Sequence, residues 1–178
     1  MSPFKSGFIS ILGRPNVGKS TLFNRLLGDK IAIVTEKPQT TRNRILGIKN
    51  VAGGQCIFLD TPGIHKGRSE LNRRMVRTAI ASGWDADILL FMIEAKSPPV
   101  QEDREMTASL AGSKGIPFLV INKIDLVKKE GLLPIMDQYQ KFYPFRAIIP
   151  ISAITGEGVD ILLDEIVKYL PESPPYYP

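Results

Sequence analysis

Chemistry in this chain begins at Gly13-Arg14-Pro15-Asn16-Val17-Gly18-Lys19-Ser20, which carries the spacing G-x-x-x-x-G-K-[ST]. Glycines at both ends let the backbone wrap an anion, so that successive N–H groups and the start of a helix face phosphate oxygens. Lys19 reaches the terminal phosphates, the Ser20 hydroxyl is placed for a magnesium ion, and Thr21 extends the same rim.

A second carboxylate-and-turn group lies forty residues on. Asp60 ends an apolar run, at the strand end where ligands bind in open α/β sheets, and a lone carboxylate there holds magnesium through water. Thr61, Pro62, Gly63 and Ile64 complete that turn, with the Gly63 N–H as donor to a terminal phosphate. Read alone, Asp-x-x-Gly is a plain turn signal, and the phosphate loop upstream favours the metal reading.

Base choice falls to Asn122-Lys123-Ile124-Asp125. The Asp125 carboxylate accepts two hydrogen bonds from the ring N–H and exocyclic amine of guanine, which adenine does not offer, and the Lys123 stem covers the base plane. Ser152-Ala153-Ile154 would complete the pocket, with the Ala153 N–H aimed at the guanine carbonyl. Between the first two motifs, the polar, proline-broken stretch 36–42 reads as a mobile loop. A threonine hydroxyl there can ligate magnesium only while a terminal phosphate is present; Thr41 is the candidate and Thr40 the alternative.

Positioning these groups requires alternating strands and helices. Gly7–Gly13 reads as a buried strand, Lys19–Leu27 as a helix stopped by Gly28, and Arg44–Val51 with Gln55–Asp60 as an antiparallel hairpin around Ala52-Gly53-Gly54. Helical patterns at Glu70–Ser82, Gln101–Ala111, Leu132–Phe142 and Gly158–Leu170 alternate with strands at Asp87–Ile93, Ile116–Ile121 and Arg146–Ile151. Such alternation predicts an α/β three-layer fold, a mostly parallel sheet with helices on both faces. Pro150 lacks a ladder donor, which places the last strand at an edge. Residues 171–178, proline-rich, read either as a frayed terminus or as the start of a semi-rigid linker.

Length and composition fit one globular domain: 178 residues, 43% hydrophobic and 23% charged, with a net charge of +5. The longest apolar run, Ile88–Ile93, is far short of the roughly 20 residues of a membrane span, and no signal peptide pattern opens the chain. A cytoplasmic location follows as the expectation. One cysteine, Cys56, and one histidine, His65, exclude an internal disulfide and a Cys/His zinc cluster, so any metal is held by oxygens. The basic stretch Lys66–Arg77 reads as a solvated helix face or as a nucleotide-dependent contact surface.

In this order, GRPNVGKSTL, KPQTTRNRI, DTPGIH, NKID and ISA resemble the five guanine-nucleotide motifs of the translation-factor-like P-loop GTPases, and more narrowly those of the Era branch of the TrmE/Era/Der-like group. The resemblance covers nearly the whole chain. It implies a small G protein-like sheet of six strands, one of them antiparallel, with GTP and GDP as ligands, magnesium held by Ser20, Thr41 and Asp60, and slow GTP hydrolysis switching between two states. Residues 1–170 would be the GTPase domain, and 171–178 the start of a linker to a C-terminal KH domain that this chain does not contain. That domain would bind small-subunit rRNA on the 30S ribosomal subunit. The resemblance further implies a likeness to monomeric proteins and a tendency to peripheral association with the cell membrane.

Ile64 stands where many such hydrolases keep a water-orienting glutamine, and it cannot exchange a proton. In related GTPases lacking that glutamine, an asparagine at the Asn16 position helps bind potassium near the β–γ bridge. The resemblance therefore makes Asn16, Lys19, Thr41 and Gly63 the catalytic candidates. His65 reads as incidental. Two other readings compete: an ATP-dependent P-loop enzyme, which would not need Asn122-Lys123-x-Asp125, and an interaction module with negligible hydrolysis.

Overall fold

The computed structural model describes residues 2–28, 45–59, 86–96 and 98–178. Strand β1 (Lys5–Gly13) runs into helix α1 (Lys19–Leu27), and a hairpin of β2 (Ile45–Val51) and β3 (Gly54–Leu59) follows. Next come β4 (Ile88–Glu94), α2 (Gln101–Leu110), β5 (Ile116–Asn122), 3-10 turns at Ile124–Leu126 and Lys129–Gly131, α3 (Leu132–Phe142), β6 (Ala147–Pro150) and α4 (Val159–Tyr169).

The six strands form one sheet in the order β2-β3-β1-β4-β5-β6. Only the β2–β3 pair is antiparallel; β1 pairs parallel with β3 and β4, and β5 parallel with β4 and β6. Every second residue of a strand faces the same side, so the continuous apolar runs split between two cores. Ile88, Leu90 and Met92 of β4 join Phe118 and Val120 of β5 under α1 and α4, which contribute Leu22, Leu26, Leu162 and Ile166. Leu89, Phe91 and Ile93 join Leu119 and Ile121 on the other side, beneath Leu110 of α2 and Tyr139 of α3. Phe91 is fully buried in a stack with Phe145, and its truncation to alanine would cost about 3–5 kcal/mol. With helices on both faces, the parallel strands all end at one edge of the sheet, and that edge carries the site.

The α/β layering and the single antiparallel strand match the sequence reading, and Pro150 does lie on an edge strand, opposite Ile121 of β5. Boundaries move by a residue or so: β4 gains Glu94, β5 gains Asn122, and the hairpin turn is Ala52-Gly53, with Gly54 already paired to Lys5 and Val51. The expected helix at Glu70–Ser82 and the stretch Lys66–Arg77 lie outside the described residues.

The proline-rich segment is neither frayed nor detached. An antiparallel bridge joins Glu172 to Lys5, Ser6 N–H donates to the Pro171 carbonyl at 3.1 Å, and Ser173 N–H to that of Phe4 at 3.1 Å. Gln55, 1% exposed on β3, accepts from the amides of Tyr176 and Tyr177 at 2.9 and 3.1 Å and donates to the Tyr177 carbonyl at 3.0 Å. The Tyr176 ring lies 5.1 Å from that of Phe8. A buried primary amide needs partners for all its polar atoms, and the tail supplies most of Gln55's. The tail therefore docks where β1 and β3 begin, at the end of the sheet opposite the site.

Candidate functional site

The loop between β1 and α1 is held in shape by close backbone approaches. Gly18 has φ 104, and a Cβ on it would lie 2.1 Å from Asn122 Nδ2, so the loop tolerates no side chain there. Lys19 is 8% exposed, and its Nζ donates to the carbonyls of Gly13 at 2.5 Å and Arg14 at 3.1 Å. Burial lowers its ammonium to about 8, because a desolvated cation loses water that a few carbonyls replace only in part. A phosphate anion is the charge that such a lysine lacks. Ser20 and Thr21 open the helix at the exposed rim.

From β5, Asn122 crosses to that loop: its Nδ2 donates to the Val17 carbonyl at 2.8 Å, and its Oδ1 accepts the Ala153 N–H at 2.9 Å. Lys123, at φ 67, donates from Nζ to the Asn16 carbonyl at 2.7 Å and pairs with Glu94 Oε1 at 2.7 Å. Asn16 has φ 66, and its carbonyl is thereby fixed by a residue 107 positions away. Ser152 Oγ donates to Asp125 Oδ1 at 2.8 Å, which orients an exposed carboxylate, and Ile124 is half-buried beneath the turn. Ile154 is 66% exposed beside them. One expectation differs: the Ala153 N–H donates to the Asn122 side chain, so a guanine carbonyl would share or replace that bond.

Gly13 to Thr21, Asn122 to Asp125 and Ser152 to Ile154 are thus gathered on one sheet edge. Thr41 and its alternative Thr40, Asp60 to Ile64, and His65 lie outside the described residues; β3 ends at Leu59, one position before Asp60. Among the described residues no group of three or more His, Cys, Asp or Glu is placed to hold a metal. The donor set suits a magnesium ion shared between a hydroxyl such as that of Ser20 and phosphate oxygens, which needs no such cluster.

Sequence reasoning missed the supporting residues. Arg14 Nε donates to Asp103 Oδ1 of α2 at 2.8 Å. Asp103 is 0% exposed and also accepts from the Tyr139 hydroxyl at 2.8 Å and the Val100 N–H at 3.1 Å. Burial, reinforced by the hydrogen bond to Asp103, raises the Tyr139 phenol so that it remains a donor. Arg25, in the last turn of α1, donates from Nε to the Ala153 carbonyl at 2.5 Å and from Nη2 to the Ile154 carbonyl. The sequence carries no local signal for either contact, since the partners lie 89 and 128 residues away.

An anion-wrapping loop after β1, joined through Asn122 and Lys123 to a carboxylate turn after β5, defines a P-loop nucleotide-binding domain. The model of the family described as 50S ribosome-binding GTPase matches residues 8–123, and the chain belongs to that family. Among curated relatives, the GTPase Era of Syntrophus aciditrophicus is 59% identical over 98% of this chain and 57% of its own length. That of Geobacter metallireducens is 54% identical over 99% and 59%. A crystal structure of Era with MgGDPNP and nucleotides 1506–1542 of 16S ribosomal RNA is 40% identical with a TM-score of 0.78, covering 98% of this chain and 60% of that one. An Aquifex aeolicus Era variant bound to GDP and AlF4− gives 41% and 0.78, with the same coverage. The chain spans about three-fifths of the length of the relatives it matches.

Proposed function

We propose that this chain is the GTP-binding and GTP-hydrolysing part of an Era-type switch acting in 30S subunit assembly and 16S rRNA maturation. The observation that carries the nucleotide reading is the wiring of Asn122 and Lys123 to the carbonyls of Val17 and Asn16, which ties base recognition to the phosphate loop. The ribosomal part rests on the similarity to Era proteins, one of them solved with 16S rRNA nucleotides. We assign the RNA contact to a KH domain in the two-fifths of the relatives' length not matched here, with residues 171–178 as the linker to it. Among the described residues no helix is long and apolar enough to cross a membrane. We place the protein in the cytoplasm as a monomer, with a peripheral contact at the inner face of the cell membrane.

Phosphoryl transfer asks the protein for positioning and charge neutralisation more than for covalent chemistry. Lys19 and the loop amides from Gly13 to Ser20 would hold the phosphates, and Ser20, Thr41 and Asp60 would hold magnesium, which would withdraw charge from the phosphate oxygens. The Gly63 N–H senses the terminal phosphate. Ile64 offers no proton acceptor, so attack by water depends on charge supplied elsewhere, and Asn16 is the group we assign to a potassium ion.

The reading is tested by competition of GTP and ATP for the chain and by phosphate release in a single turnover. GTP should win, with release faster in potassium than in sodium; equal binding of ATP would refute the guanine assignment. Asp125→Asn should move preference toward xanthine nucleotides, whose extra carbonyl replaces the guanine amine. Unchanged GTP affinity in that variant would mean that the base turn is misassigned.

A further inference from the structure

The base-facing turn between β6 and α4 has its own internal bonds: Gly156 N–H donates to the Ser152 carbonyl at 2.8 Å, Ser152 N–H to that of Glu157 at 2.9 Å, and Thr155 N–H to Ser152 Oγ at 3.2 Å. These fix amides. The carbonyls of Ala153 and Ile154 point the other way and are taken by the Arg25 guanidinium, whose planar fork suits two adjacent acceptors. Packing is close enough that a Cβ on Gly156, itself at φ 90, would lie 2.9 Å from Arg25 Nη1.

Arg25 sits on the same helix as the phosphate residues. It follows Lys19 by six positions, roughly 9 Å along the axis, so a single rigid element touches the phosphates at one end and the base turn at the other. The turn in turn carries Ser152, which holds Asp125, and Ala153, whose amide faces Asn122.

We propose that Arg25 is a positioning residue for guanine recognition: by pinning the carbonyls of Ala153 and Ile154 it holds Ser152, and through it Asp125, in register with the phosphate loop. The proposal rests on the guanine reading above. On its outer side Arg25 borders a cavity of about 250 Å³, lined also by Leu26, Lys49, Val159, Asp160 and Leu163. Water from there can reach the two carbonyls once the guanidinium is gone, so truncation should leave no buried orphan and the fold should hold.

The test measures GDP and ADP affinities by fluorescence titration for wild type, Arg25→Ala and Arg25→Lys. ADP draws on the phosphate loop but not on Asp125. Arg25→Ala should lower GDP affinity about tenfold, the effect of losing roughly one charged hydrogen bond, and leave ADP affinity unchanged. Arg25→Lys, which keeps the charge and one donor at a time, should recover part of that loss. In a Ser152→Ala background, Arg25→Ala should add less than about threefold, because the residue it acts through is already cut. An equal loss for GDP and ADP, or full additivity with Ser152→Ala, would overturn the proposal. Wild type showing no preference for GDP over ADP would instead overturn the guanine reading itself. Arg25→Gln, which retains a donor, replaces Arg25→Ala should the latter fail to fold, with the same outcomes read.

Discussion

Replacing Asp103 with alanine tests whether the phosphate loop is anchored from behind. The carboxylate is 0% exposed and accepts hydrogen bonds from Arg14 Nε, the Tyr139 hydroxyl and the Val100 N–H. Truncation removes the printed acceptor of a fully buried tyrosine hydroxyl, at about 1–3 kcal/mol. Breaking a buried charge pair from one side costs about 3–5 kcal/mol, but the Arg14 side chain keeps 22% exposure and regains some water, so the lower end applies. The sum expected for Asp103→Ala is about 4–6 kcal/mol of unfolding free energy, read from urea transitions at pH 7. Asp103→Asn, which keeps the shape and one acceptor, should cost about half as much, and Tyr139→Phe about 1 kcal/mol. Because the Arg14 carbonyl also receives Lys19 Nζ, GDP affinity of Asp103→Asn should fall even where the fold survives. A loss below about 1 kcal/mol for Asp103→Ala, or strict additivity of Asp103→Ala with Arg14→Ala, would show that the pair carries no coupling and that the loop is held otherwise.

Three other expectations follow from the same geometry. Gly18→Ala places a Cβ 2.1 Å from Asn122 Nδ2 at φ 104, and GDP affinity should drop about 100-fold in equilibrium titration; a change under about threefold would contradict the close approach. For Lys19, the folded protein without ligand binds fewer protons than the unfolded chain between about 8 and the ordinary 10.5, so its stability rises with pH across that window. A bound phosphate restores the ammonium, so GDP binding should take up protons above pH 8 and weaken as pH rises, measurable by calorimetry in buffers of unlike ionisation heat; zero uptake would refute it. Cys56, buried at 0% exposure with its thiol pushed up to about 12 by desolvation, should resist thiol reagents at pH 8 until urea unfolds the chain, and fast labelling of the native protein would contradict its placement.

What the sequence disclosed depended on how local the physics was. The turns at Gly13 to Ser20 and Asn122 to Asp125 were legible because a few adjacent residues define each one. Pro150 was legible because a missing donor restricts it to an edge. Arg25 and Asp103 were not, since their partners lie 128 and 89 residues away, and an arginine in a helix's last turn or an acid in its first reads as ordinary surface charge. The partner of the Ala153 amide is hidden for the same reason: in this structure Asn122, 31 positions earlier, takes it. The tail was ambiguous between frayed and linker because proline content says nothing about a buried glutamine 121 residues upstream.

That glutamine sets a length. While Gln55 and Ser6 hold the tail, anything joined at Pro178 is leashed to the start of β1, roughly 23 Å along the strand from the phosphate loop. Releasing residues 171–177 would add roughly 24 Å of slack. The volume swept by a tethered partner grows steeply with that radius, so its local concentration at the nucleotide edge is set by a clasp at the far end of the sheet. Gln55→Ala therefore amounts to lengthening a leash without adding a residue to it.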